Sequence, residues 1–154
     1  MSEVVIYTDG GCAPNPGKGG WGCVMFHKNT MREFRKGYYK TTNNRMELLA
    51  AIENLERLKR PCSVELYSDS EYVINGARSW IRGWKAKGWK TSGGTRVKNV
   101  DLWKRMDICL AQHKVTWIWV KGHDSHEYNE RCDELATEAI EGEEKYVDEG
   151  YEGI

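Results

Sequence analysis

Two stretches of the chain close in the same way: "YTDGG" puts Asp9, and "YSDSE" puts Asp69, at the end of a short β-branched and aromatic run. Side chains alternate faces along a strand. Val5, Tyr7 and Asp9 therefore share one face, and Glu65, Tyr67 and Asp69 share another. A single aspartate at such a place is usually a turn residue; two in matched Tyr-Thr and Tyr-Ser settings weigh equally for chemistry. Glu47, read in the first turn of a helix in "TTNNRMELLAAI", and Asp133, near the start of "NERCDELA", supply two more acids. Taken one at a time, both fit the preference of a helix N-terminus for negative charge. If those helices meet the strand ends, four carboxylates converge, and close pairs repel by about 1 to 4 kcal/mol at ~4 Å, depending on the effective dielectric. A divalent cation relieves such repulsion, and an all-oxygen ligand set selects a hard ion, Mg²⁺ or Mn²⁺. Spacing alone leaves the convergence open.

His123, in the polar stretch "GHDSHEYNE", is either an exposed bystander or a group able to move protons near neutral pH. A zinc site built from Cys109, His113, His123, His126 and Cys132 matches no finger spacing and is disfavoured. Between Trp80 and Lys98 lie Arg82, Lys85, Lys87, Lys90, Arg96 and Lys98 with no acid among them, interleaved with Trp84 and Trp89. In a chain of zero net charge, that block points to a local polyanion contact. The plainer reading makes the tryptophans core and the lysines a solvated face. Asn43 and Asn44 precede the helix of Glu47, where either suits a capping role.

The elements that must position these groups follow from periodicity. "VVIYTDG", "GGWGCVMF" and "REFRKGYY" read as strands, the last two as a hairpin; "SVELYSD" and "KVTWIWVKG" add two more. Helical stripes run over residues 44–59, 99–113 and 129–142, and "SEYVINGARSWI" reads as a short helix broken near Gly76 and again near Gly83. The order βββαβααβα predicts an α/β fold with a mixed five-stranded sheet flanked by helices. The 154 residues suit one domain over 1–140, with 141–154 an acidic and flexible tail. No run approaches the ~18 apolar residues of a membrane span, and the N-terminus lacks a secretory pattern. Five cysteines without a CxxC spacing favour free thiols and a cytoplasmic location. Nothing suggests an obligate protein partner, so a monomer is expected.

The motifs "YTDG", "NPGKGGWG", "TTNNRMELLAAI", "SDSEYV", "WIRGWKAKGWKT", "VKNVDLWKRMD", "WVKGH" and "NERCDELA" occur in the order found in type 1 ribonuclease H. The chain most resembles the bacterial ribonuclease HI branch over about residues 3 to 140. The resemblance implies the ribonuclease H-like fold and an endonuclease acting on the RNA strand of an RNA–DNA hybrid, leaving 5′-phosphate and 3′-hydroxyl ends. It implies that Asp9, Glu47, Asp69 and Asp133 hold two Mg²⁺ ions, with Mn²⁺ a substitute and Asp9 the bridging ligand. It gives His123 a part in proton handling and product release, and leaves His126 a bystander. It also implies that Cys12, Asn15, Asn43, Asn44 and Glu71 contact the hybrid's minor groove, with Thr42 and Arg45 near a DNA phosphate. Trp80, Trp84, Lys85, Lys87 and Trp89 would form a basic protrusion against the DNA strand.

Three departures bear on affinity: Gly11 stands where the family has serine, Glu71 where it often has glutamine, and Ala86 where it has a basic residue. Two other readings compete. A DNA-processing nuclease of the same fold would need additional DNA-binding segments, and a non-catalytic hybrid-binding module would leave the four acids and His123 unexplained.

Overall fold

The β-branched run that opens the chain becomes the central strand of a five-stranded sheet. In the computed structural model, which describes residues 1–121 and 126–152, the strands are β1 (Ser2–Cys12), β2 (Gly17–His27), β3 (Thr30–Thr41), β4 (Cys62–Ser68) and β5 (Lys114–Trp119). Their order is β3-β2-β1-β4-β5. Short links make β1, β2 and β3 antiparallel, whereas helical crossovers make β4 and β5 parallel to β1. Tyr7 pairs with Tyr67 in the β1–β4 ladder. Two residues further along, Asp9 and Asp69 therefore stand side by side just past the end of the β1–β4 ladder, while β1 goes on pairing with β2 as far as Cys12.

Alternation along β1 splits the core between the two faces. Val4 and Ile6, with Leu66 of β4, pack against Leu49 and Ile52 of α1 (Asn43–Arg57) and Trp103 and Met106 of α4 (Val100–Gln112). Tyr7 and Val24 pack on the other face against Cys132 and Leu135 of α5 (Glu127–Glu141). Burying each of the large aliphatic side chains stabilises the fold by roughly 1.5–3 kcal/mol. All five cysteines are free thiols, and among the described residues no helix is long and apolar enough to cross a membrane.

Two glycines let the helices come close enough to deliver acids to the strand ends. A Cβ on Gly10 would lie 2.6 Å from the carbonyl carbon of Met46 and 2.8 Å from the nitrogen of Glu47. A Cβ on Gly22, which pairs with Asp9, would lie 2.3 Å from the carbonyl oxygen of Cys132. Without side chains there, α1 closes on β1 beside Glu47, and α5 closes on β2 beside Asp133.

Two expectations change. The helix expected to break at Gly76 and Gly83 runs on: α2 (Glu71–Asn75) passes through a π-helical turn (Gly76–Trp80) into α3 (Ile81–Ala86). Gly76 is needed for contact rather than termination, since its Cβ would meet the Trp103 ring at 2.1 Å. The acidic segment expected to be a flexible tail docks through Glu152. Tyr146 pairs with Tyr38 at the β3 edge, Tyr39 donating to its carbonyl at 3.0 Å and its own N–H reaching Gly37 at 2.8 Å. Asp148 is then buried against α1. Unsatisfied strand-edge groups and a buried arginine account for the docking, and neither is visible in the segment's own composition.

Candidate active site

Asp9, Glu47 and Asp69 meet where the ends of β1 and β4 face the second turn of α1. Each offers a carboxylate oxygen, and these oxygens lie within 4.8 Å of one another. Oε1 of Glu47 and Oδ1 of Asp69 are buried and have no hydrogen-bond partner. Unpaired buried polar atoms are costly and rare in folded proteins, and two of them side by side in an all-oxygen cluster could hold a hard cation. Asp133, exposed on α5, stands outside that trio yet close enough to act on Asp9 by hydrogen bonding and charge. Asp9 thus neighbours all three other acids.

Crowding and burial raise the pKa of two of these acids. Burial first, then the negative charge of Asp69 and the proximity of Asp133, push Asp9 from its ordinary 3.8 up to about 8. Glu47 is held well above the usual carboxylate range, by burial and then by Asp9 and Asp69. Without a metal Asp9 holds its proton into the neutral range, and binding an ion there would release it.

The helix-dipole explanation weakens. Glu47 is the fifth residue of α1 and Asp133 the seventh of α5, both beyond the first turn where the dipole is felt. Capping is done by Thr42, whose hydroxyl accepts from the N–H of Arg45. Asn43 is therefore free for other contacts. Its Oδ1 accepts from the N–H of Cys12 at 2.6 Å, and its own N–H donates to Oδ1 of Asn15 at 3.2 Å. The structure thus brings Asn43 against Cys12 and Asn15, three and six residues past Asp9; Asn44 and Glu71 are exposed, as are Asn15 and Asn43.

Arg45, expected near a DNA phosphate, turns inward. Its Nε donates to Asp148, Nη1 to Asn99 and Asp101, and Nη2 to Asp101 and Asp148, at 2.7 to 3.3 Å. A guanidinium has five N–H donors, and all five are engaged. Beside it lies a cleft of about 830 Å³ walled by Thr42, Asn43, Asn44, Arg96, Lys98 and Asn99. Asn99 went unremarked in the sequence; it precedes α4 with a left-handed backbone, a conformation asparagine tolerates better than most residues.

In the basic block, Trp80 is exposed. Trp84 is half-buried, its ring 5.3 Å from that of Trp103. Trp89 is also half-buried, and its carbonyl accepts from Val97. Lys87 is exposed, whereas Lys85 pairs with Asp107 at 3.0 Å. The core and surface readings of this stretch each hold for part of it. His123 lies outside the described residues. Of the disfavoured zinc set, His113 is committed elsewhere, its Nδ1 accepting from the N–H of Cys62, and Cys132 donates to the carbonyl of Tyr7.

A mixed sheet in this order, with acids gathered at the ends of its two central strands, defines a ribonuclease H-like fold. The ribonuclease H family profile matches residues 1–141. The chain is 55% identical to ribonuclease H of Shewanella amazonensis over 152 residues, 99% of this chain and 97% of that protein. Among solved structures, LC9-RNase H1, a type 1 RNase H with the type 2 active-site motif, is 28% identical with a TM-score of 0.81, covering 91% of this chain and 72% of that one. LC11-RNase H1 in complex with an RNA/DNA hybrid is 27% identical with a TM-score of 0.63, covering 89% and 96%. The chain belongs to the ribonuclease H family, in its type 1 bacterial group, and is a hydrolase.

Proposed function

We propose that this protein cuts the RNA strand of RNA–DNA hybrids, with two divalent ions held by Asp9, Glu47, Asp69 and Asp133, and leaves 5′-phosphate and 3′-hydroxyl ends. The observation that carries this reading is the trio of carboxylates with two orphaned buried oxygens. When bound, divalent ions there would activate a water and stabilise the leaving 3′-oxygen. Mg²⁺ suits the all-oxygen set, and Mn²⁺ is an acceptable substitute. Asp9, neighbour to the other three acids, suits a shared ligand. His123, between β5 and α5 in sequence, is assigned proton handling and product release.

Recognition is assigned to the surface beside the metal centre. RNA is told from DNA by its 2′-hydroxyls in a wide minor groove. Amides such as Asn15, Asn43 and Asn44 both donate to and accept from hydroxyls; Cys12 and Glu71 complete the set. Thr42, at the mouth of the cleft with Arg96 and Lys98, suits a DNA phosphate. Arg45 shapes that wall from behind. Trp80, Trp84, Lys85, Lys87 and Trp89 form the surface for the DNA strand. A monomer working in a reducing cytoplasm fits the free thiols.

End-group analysis tests the chemistry. With Mg²⁺, RNA fragments released from a hybrid should accept a 5′ label only after phosphatase treatment and should be extendable at their 3′ ends. Fragments ending in 3′-phosphate or cyclic phosphate would refute the mechanism. Affinity supplies a second prediction. The double variant Glu71→Gln, Ala86→Lys gains an amide donor and a cation. It should bind hybrid more tightly, its added salt dependence amounting to about 0.9 or less in the log–log slope for one new phosphate contact. Fluorescence anisotropy at several salt concentrations checks this, and equal affinity throughout would contradict it.

A further inference from the structure

We propose that Asp148 is a positioning residue for hybrid binding: it clamps both ends of the Thr42–Asn44 turn that carries the groove-reading asparagines. The proposal rests on the hybrid-cleavage reading above. Asp148 is buried, with its side chain 3% exposed. Its Oδ2 accepts from the hydroxyl of Thr41 at 2.7 Å and from Nε of Arg45 at 2.7 Å; its Oδ1 accepts from Nη2 of Arg45 at 3.0 Å. Thr41 closes β3 and Arg45 is the third residue of α1. One carboxylate therefore holds the residues on either side of Thr42, Asn43 and Asn44.

The clamp reaches further at both ends. Through its remaining donors Arg45 is tied to Asn99 and Asp101 at the start of α4, the opposite wall of the cleft. Through Asn43 the turn is tied to Cys12, the last residue of the strand that bears Asp9, and to Asn15 just beyond it. The pairing of Tyr146 with β3 sets the register that brings Asp148 opposite Thr41. An acid 103 residues from its partner thus fixes where the recognition turn stands relative to the metal centre. It touches neither substrate nor metal ligand, so its effect should fall on binding.

The test is steady-state cleavage of a labelled hybrid with Mg²⁺ by the full chain, well below its melting temperature. Displacing a positioning group by about 1 Å can cost up to 100-fold. For a turn still anchored at Asn43, Asp148→Asn should raise KM on the order of tenfold while kcat stays within about twofold. Thr41→Val, which removes one arm of the clamp and no charge, should raise KM in the same direction by less, and decides the matter if Asp148→Asn does not fold. Ile52→Val, a core variant chosen for a comparable melting-temperature loss, should leave KM unchanged. Wild-type KM in both clamp variants, or an equal rise in Ile52→Val, would overturn the proposal. Failure of the wild-type chain to cut hybrid at all would instead overturn the reading on which it rests.

Discussion

Asp9→Asn is expected to abolish cleavage and, at the same time, to make the metal-free protein more stable. Losing the shared ligand should lower kcat by on the order of 10³ or more, about 4 kcal/mol of transition-state stabilisation. The gain in stability comes from the same geometry. Asp9 is pressed against Asp69 and Asp133 and is largely out of water. Removing one such charge relieves roughly 1–4 kcal/mol of repulsion, or about 2–4 °C in melting temperature per kcal/mol for a chain of this size. The sign with pH follows from the raised pKa. Between its ordinary 3.8 and about 8, the folded protein binds this proton more tightly than the unfolded chain does. Metal-free wild-type stability contributed by this group therefore falls as pH rises through that window. The advantage of Asp9→Asn should be absent below about pH 4 and complete above about pH 8. Mg²⁺ should narrow it, because only the wild-type centre gains stability from the ion. Thermal melts of both proteins across pH, with chelator and with Mg²⁺, check every part. A destabilised Asp9→Asn at pH 8 without metal would show that the acids are not crowded. Glu47→Gln should behave alike in function, binding hybrid and barely cutting it.

Arg45→Met should be among the most damaging single substitutions for stability. It leaves Asp148 buried without its cation, and breaking a buried pair by removing one partner costs about 3–5 kcal/mol. Asp101, with a side chain 41% exposed, can relax into solvent and adds less. Chemical unfolding at neutral pH measures the loss. Burial tends to raise the Asp101 pKa, but hydrogen bonds and charge from Arg45 outweigh it and hold the carboxyl below its ordinary 3.8. The stability from this pair is therefore present above about pH 4 and lost as pH falls through the depressed value. The gap between wild type and Arg45→Met should accordingly shrink in acid. A gap that widens there would contradict the ion-pair account.

What could be read from the sequence was local. Val4 to Tyr7 declare β1 by composition, and the matched motifs place Asp9 and Asp69 at one end of the sheet, because β1 and β4 are neighbours. Glu47 was legible only through motif order: its position lies past the reach of the helix dipole, and its approach to β1 depends on a glycine in another element. Gly76 was misread because a glycine that ends a helix and one that admits a tryptophan ring look alike in one dimension. Asp148 and Arg45 were the least legible. An acid among glutamates reads as solvated, and an arginine among asparagines reads as a phosphate ligand. Only the fold reveals that each occupies the other.

The most direct measurement sets labelled RNA–DNA hybrid, duplex RNA and duplex DNA of one sequence before the wild-type chain, with Mg²⁺ and with chelator, and before Asp9→Asn. Cleavage confined to the RNA strand of the hybrid, dependent on Mg²⁺ and lost in Asp9→Asn, is the predicted result. Cutting of duplex DNA, or hybrid cleavage that survives chelator or the substitution, would contradict it.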